Sequence, residues 1–273
     1  MDYRHFIITR FNLRNVSKGD GKDKSGNSVL TGDWLAHRLE IFNKYCLPSL
    51  VNQTNKNFTW LLYFDITTSP EVREINKQLE NQYPDLIKII YTDGQEGLIK
   101  GYRQNILALC PPETKFVIST RFDNDDIVHK DFINKIQDSF SYQDFETVNF
   151  LKILMINPDL KNKIHIDYSF SNHFISLIEK ITPEGIKGCF YYADRGWGAV
   201  ASIQITDHPY CMEIISDKNL VNDFRGIPVF RKTDLSDFQL NYSLRNSFFD
   251  RYNFMIWKMS VKRLLLSFKY KKI

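Results

Sequence analysis

Asp123, Asn124, Asp125 and Asp126 put three carboxylates within four residues, directly after the apolar run FVIST at 116–120. Like charges this close repel, and a cation that neutralises them removes the cost. Hard divalent ions such as Mg²⁺ or Mn²⁺ favour carboxylate oxygens and bridge them to phosphates. The plainer reading is a solvated loop in which an Asp caps the following segment HKDFINKIQ. Three other acidic-loop chemistries fit less well. A calcium loop of the helix–loop–helix kind needs Gly at its sixth position, where Val128 stands. An aspartyl-phosphate site is disfavoured by Ile127 at its key place and by the mid-chain position. A two-metal nuclease needs further acids at comparable places, and Asp65 is the clear one.

The surrounding pattern says what positions these acids. HFIITRF (5–11), FTWLLYF (58–64), LIKIIY (86–91) and FVIST read as strands, separated by amphipathic segments of helical length. The first helix starts near Asp33, carries Leu35, Leu39, Phe42 and Cys46 on one face, and is expected to stop before Pro48. Ser69-Pro70 opens the second helix, with Ser as cap and Pro in its first turn. The third runs through Arg103 and Asn105 to Cys110. Strand–helix alternation of this kind predicts an α/β fold with a mostly parallel central sheet flanked by helices. Open sheets of this class bind ligands at the carboxyl ends of their strands. Asp65, the turn at 92–94 and the acidic cluster all fall at such ends. Residues 14–32 read as a polar loop, able to close over a ligand there.

Later in the chain the pattern is less regular. Segments FSNHFISLIEK, CFYYADRGWG and ITDHPYCMEII follow one another without a linker that would divide the chain. From about Ser236 the pattern turns helical, with Phe254, Trp257, Val261, Leu264, Leu265 and Phe268 on one stripe and Lys258, Lys262 and Lys269 off it. We therefore expect one domain over 1–235, made of halves 1–130 and 131–235, and a basic amphipathic C-terminal helical tail over 236–273.

Composition narrows the partners. A net charge of +4 over 273 residues gives no case for nucleic acid. Cys46, Cys110, Cys189 and Cys211 have no close spacing and lie in apolar contexts, which suits reduced thiols in a cytoplasmic protein. The N-terminal residues lack the apolar core of a secretory signal, and no stretch reaches bilayer length. The tail carries the pattern of a helix that lies on an anionic inner membrane face, or that docks on its own domain. Aromatic residues make up 14% of the chain, and Trp197 between Gly196 and Gly198 reads either as a sugar-stacking ring or as core.

The segments HFIITRFN, DWLAHRLEIFNKYCLPSLVNQTNKNFTWLLYFD, GLIKGYRQNILALC and STRFDNDD together resemble the GT-A class of glycosyltransferases. More narrowly they resemble the bacterial rhamnosyltransferase-like family. The resemblance covers the first half well, and FSNHFISLIEK and KNLVN extend it thinly. It implies a GT-A-like (Rossmann-like) fold and a transferase of polysaccharide biosynthesis. Such an enzyme moves a sugar, rhamnose by the family's name, from a nucleotide-sugar donor to a glycan or lipid-linked glycan acceptor with inversion. Mn²⁺ or Mg²⁺ would be held by Asp123 and Asp125, with Asp126 supporting or sharing that role. The donor would be bound by Thr9, Arg10, Asp65, Arg103, Asp123 and Asn124, with Asp65 on the base and Arg103 near the diphosphate. Arg121 stands at the same crevice. An inverting enzyme needs a base for the acceptor hydroxyl. Glu213 is the first candidate and Asp207 the second, with Asp194 behind them. His208 is a candidate for completing the metal site. A non-catalytic carbohydrate- or nucleotide-binding module on the same fold is the alternative.

Overall fold

The computed structural model describes residues 2–15, 32–157, 163–215 and 225–245. Strand β1 (Tyr3–Arg10) comes first, then helix α1 (Gly32–Ile41), a π turn at Phe42–Cys46 and helix α2 (Leu47–Val51). The helical run thus passes through Pro48 instead of stopping before it. The widened turn, with Leu47 N–H donating to the Phe42 carbonyl, makes room for a ring that would clash in a regular helix. Next come β2 (Thr59–Asp65), α3 (Pro70–Gln82), β3 (Ile87–Thr92), α4 (Gly94–Ala108) and β4 (Phe116–Arg121). The Ser69 hydroxyl accepts from Val72 N–H at 3.4 Å, so the expected cap of α3 is made.

Strand β5 (Asp126–Val128), helix α5 (Phe132–Gln137), β6 (Phe145–Phe150), β7 (Lys152–Ile156), β8 (Ile164–Tyr168), β9 (Ser176–Lys180), β10 (Ser202–Ile205), β11 (Cys211–Ile214) and β12 (Ile227–Pro228) follow. A short hairpin of β13 (Thr233–Asp234) and β14 (Ser243–Leu244) closes the described chain. The larger sheet runs β10-β6-β9-β4-β1-β2-β3, and β9 alone is antiparallel to its neighbours. This is the mostly parallel α/β sheet that the alternation predicts. Its central strands are buried on both faces, as parallel strands between helices must be. Ile7, Trp60, Leu62 and Phe64 pack towards α1, α2 and α3. Phe6, Ile8, Leu61 and Tyr63 pack towards α4 on the other face. Each large side chain taken fully from water here contributes about 1.5–3 kcal/mol.

The irregular second half builds a second sheet, ordered β12-β8-β7-β11-β5. Its strands are only two to five residues long, too short to show a period of two. Trp197 is 2% exposed and packs between Phe145 and Tyr192, so of its two readings the structure takes core. The expected helix from Ser236 is absent over 236–245. Ser236–Phe238 is a single 3₁₀ turn, ended by Gln239 at φ 62°, while Leu235, Phe238 and Leu240 bury against the second sheet. Most of the 14–32 loop, the KNLVN segment and residues 246–273 of the tail lie outside the described residues.

Candidate metal and donor site

The acidic cluster is the link between the two sheets. Strand β4 ends the parallel core at Arg121, residues 122–125 cross over, and β5 begins the second sheet at Asp126. Phe122, fully buried beside Trp60 and Phe174, anchors the crossing. Asn124 is 6% exposed and donates to the Arg10 carbonyl at 2.8 Å, which ties the crossing to the end of β1.

Asp126 is 3% exposed, and His173 Nε2 lies 2.9 Å from its Oδ2. His173 is presented by a tight polar turn. Asn172 accepts from Phe174 N–H at 2.9 Å and donates to the Phe150 carbonyl at 2.7 Å. The other ring nitrogen of His173, Nδ1, faces Glu213 Oε1 at 3.6 Å. Glu213 has no exposed surface, receives Arg225 at 2.6 Å on Oε1, and keeps a buried Oε2 without a hydrogen-bond partner. Arg225 also donates to Asp167 at 2.7 Å. Asp167, Arg225, His173 and residues 168–172 line an open cleft of about 440 Å³.

One oxygen each of Asp123 and Asp126 and one nitrogen of His173 lie within 4.8 Å of one another. Two carboxylate oxygens and an imidazole nitrogen are a donor set for a divalent cation. The His173–Glu213 contact is the outer carboxylate that ligand histidines commonly have. The residues fit. Burial raises the Asp126 carboxyl. Burial alone would lower His173, but Asp126, Glu213 and Asp123 around it push the imidazole up to about 9. We place the pair's proton on His173, because three carboxylates surround it. A cation held by these residues would displace that proton.

The remaining acids have partners within the protein. Burial raises the Asp123 carboxyl, but Arg121 and Arg10 overcome this and hold it well below the usual range. Arg10 meets Oδ1 at 3.2 Å and Arg121 meets Oδ2 at 3.4 Å. Asp125, expected beside Asp123 as a ligand, pairs with Arg38, which also reaches Asn124 Oδ1 at 3.4 Å. Thr9 faces the core and accepts from the Trp60 indole at 2.8 Å. Asp65 is completely buried at the end of β2. Arg14, Thr67 and the Gly94 N–H all donate to its two oxygens. Arg103 on α4 lies over the Tyr102 ring at 5.7 Å, and among the described residues no ion pair joins it to the acidic loop. Asp207 stands apart from the cluster, held by Lys135 at 3.2 Å and by the Tyr210 hydroxyl at 3.1 Å. His208 packs on His129 and Tyr210, so the histidine at the acidic loop is His173 instead.

His173, Arg38 and Arg225 were not singled out from the sequence. Arg38 had a usable signal, since it sits three residues from Leu35 and four from Phe42, a charge on the buried stripe of a helix. His173 lies in FSNHFISLIEK, where no residue spacing sets it apart as a ligand.

Among curated proteins no sequence match is found. Three solved structures are similar in chain course. TarS of S. aureus, residues 1–349, is 14% identical at TM-score 0.43, over 77% of this chain and 60% of that one. The chain therefore spans about 60% of the length of that relative. A structure described as a "putative nucleotide-diphospho-sugar transferase" from Desulfovibrio desulfuricans is 11% identical at TM-score 0.40, over 79% and 84% of the two chains. The 4-diphosphocytidyl-2C-methyl-D-erythritol synthase of Anaerococcus prevotii is 10% identical at TM-score 0.36, over 76% and 90%. Among the described residues no helix is long and apolar enough to cross a membrane. Residues 5–149, more than half of the chain, match the family described as "Putative rhamnosyl transferase", and the chain belongs to that family.

Proposed function

We propose that this protein is a glycosyltransferase that moves a sugar, with rhamnose the first to test, from a nucleoside-diphosphate sugar onto a glycan or lipid-linked glycan. The observation that carries this reading is the convergence of Asp123, Asp126 and His173 at the carboxyl end of the parallel sheet, beside Arg10 and Arg121. Asp123, Asp126 and His173 would hold Mn²⁺ or Mg²⁺. When bound, such an ion stabilises the charge that develops on the leaving diphosphate. The chain's own residues supply the rest. Arg10 and Arg121 offer guanidinium forks to phosphate oxygens. Asp65, engaged by Arg14, Thr67 and Gly94, ties the ends of β2 and β3 together and would border the nucleoside base. Glu213 orients His173 from behind instead of meeting an acceptor, because it is enclosed and held by Arg225. The cleft lined by Asp167, Asn172, His173 and Arg225 opens beside this centre and is the place for the acceptor.

A second reading is a binding module on the same fold. It is favoured by the fact that each carboxylate of the acidic loop already has a cationic side chain as partner. Release of nucleoside diphosphate from a panel of nucleotide sugars, dTDP-rhamnose included, separates the two. Turnover that EDTA and Asp126→Ala both abolish supports the transferase. Nucleotide binding without turnover, with glycan acceptors supplied, supports the module.

A further inference from the structure

Asp123 already has a guanidinium on each of its two oxygens, Arg10 on one and Arg121 on the other. The two arginines end β1 and β4, adjacent parallel strands in register at Ile8 and Arg121. Both guanidiniums lie over one ring, Phe190, at 5.3 and 5.9 Å. The ring attracts both cations and holds them side by side over the crevice. Both guanidiniums stand at the sheet edge where open α/β folds bind ligands. A diphosphate, with several anionic oxygens, offers two guanidinium forks more acceptors than a single carboxylate does. The Asp123 oxygens that the arginines occupy are also oxygens the metal centre needs, and two neighbouring guanidiniums repel an incoming cation.

We propose that Arg10 and Arg121 form a latch on Asp123 which a diphosphate opens, so that the chain takes up its divalent cation together with the diphosphate and poorly without it. The inference rests on the reading of Asp123, Asp126 and His173 as the metal centre. Phosphate oxygens draw the guanidiniums off Asp123, and the freed carboxylate turns to the cation. Binding linkage is reciprocal, so the cation tightens the diphosphate by the same factor as the diphosphate tightens the cation.

The test is Mn²⁺ binding to the full chain, read from the electron paramagnetic resonance of the free ion, with no catalytic turnover involved. Wild type is compared with Arg10→Gln/Arg121→Gln, each alone and with dTDP, after subtracting the Mn²⁺ held by dTDP in protein-free samples. The double variant is expected to bind Mn²⁺ alone roughly tenfold or more tightly than wild type. Nucleotide should raise wild-type affinity on that scale and leave the double variant nearly unchanged. Adding Asp123→Asn to the double variant should remove the gain. Circular dichroism and a thermal melt check folding. If the double variant fails that check, Arg10→Gln alone, at the more exposed of the two positions, should show a smaller rise in the same direction. Equal Mn²⁺ affinity in wild type and variant overturns the latch and leaves the metal centre standing. No Mn²⁺ binding by either protein, with or without nucleotide, overturns both.

Discussion

Asp126 and Glu213 stand directly opposite each other across the antiparallel pair β5–β11, two buried carboxylates on neighbouring strands. Like charges placed so are destabilising unless something lies between them. His173 does, at 2.9 Å from the first and 3.6 Å from the second, and Arg225 holds the far side of Glu213. The second sheet thus exists in part to set a histidine between two acids at the edge of the first.

Replacing Glu213 by Gln keeps the shape and removes the charge behind His173. Mn²⁺ affinity is expected to fall by about 10- to 100-fold, as for other outer-shell changes at metal sites. Isothermal titration of Mn²⁺ into variant and wild type measures this. An unchanged affinity in a folded variant would assign Glu213 to a role unconnected with His173.

Arg38→Ala leaves Asp125 without its cation, in a pair whose side chains are only 11% and 15% exposed. Breaking an enclosed pair from one side costs about 3 kcal/mol, while removing both partners recovers part of it. Urea unfolding of Arg38→Ala and of Arg38→Ala/Asp125→Ala should show that order. If the double variant is the less stable by the full sum of its parts, the pair is not coupled.

Gly94 begins α4 at φ +62°, where a Cβ would stand 2.7 Å from the Arg14 carbonyl oxygen. Its N–H also donates to Asp65 at 3.2 Å. Gly94→Ala should cost at least about 1 kcal/mol in stability, the scale of left-handed backbone strain. It should also weaken nucleotide binding, because the turn that grips Asp65 must shift. A thermal melt and a dTDP titration read the two effects, and an unshifted melting temperature would refute the strain.

His5 is buried in the core and bonded to Thr120 at 2.9 Å and Gln137 at 3.2 Å, and burial pushes its pKa down to about 3. The unfolded chain therefore binds the extra proton first. The stability this neutral histidine contributes is fully present above about pH 6.5 and is lost as pH falls towards 3. Between pH 7 and pH 5 the loss amounts to about 2 kcal/mol. The urea midpoints of wild type and His5→Gln at the two pH values should differ by this slope. Parallel slopes would show that His5 does not carry it.

The first half of the chain was legible because its elements are long and its signals local. The strands at β1, β2, β3 and β4 show as continuous apolar runs, and Ser69-Pro70 marks α3 by cap chemistry alone. The position of the acidic cluster at a strand end followed from the same pattern. Pro48 misleads, because a π turn that absorbs a proline has no sequence period of its own. The second sheet was not legible, since its strands are short and pair across gaps such as that between β5 and β11.

From the sequence alone came the kind of chemistry, a carboxylate cluster at the carboxyl edge of a parallel sheet, because composition and periodicity report burial and charge along the chain. Tertiary structure alone decided which groups each side chain meets. Asp123 and Asp126 converge with His173, while Asp125 is drawn to Arg38 and Asp207 to Lys135. The reason is physical: adjacent side chains on a crossing loop point in different directions, and which cation each meets depends on helices and strands distant in sequence. His173 could not be told from any other strand-edge histidine until β5 and β11 brought two carboxylates to its two nitrogens.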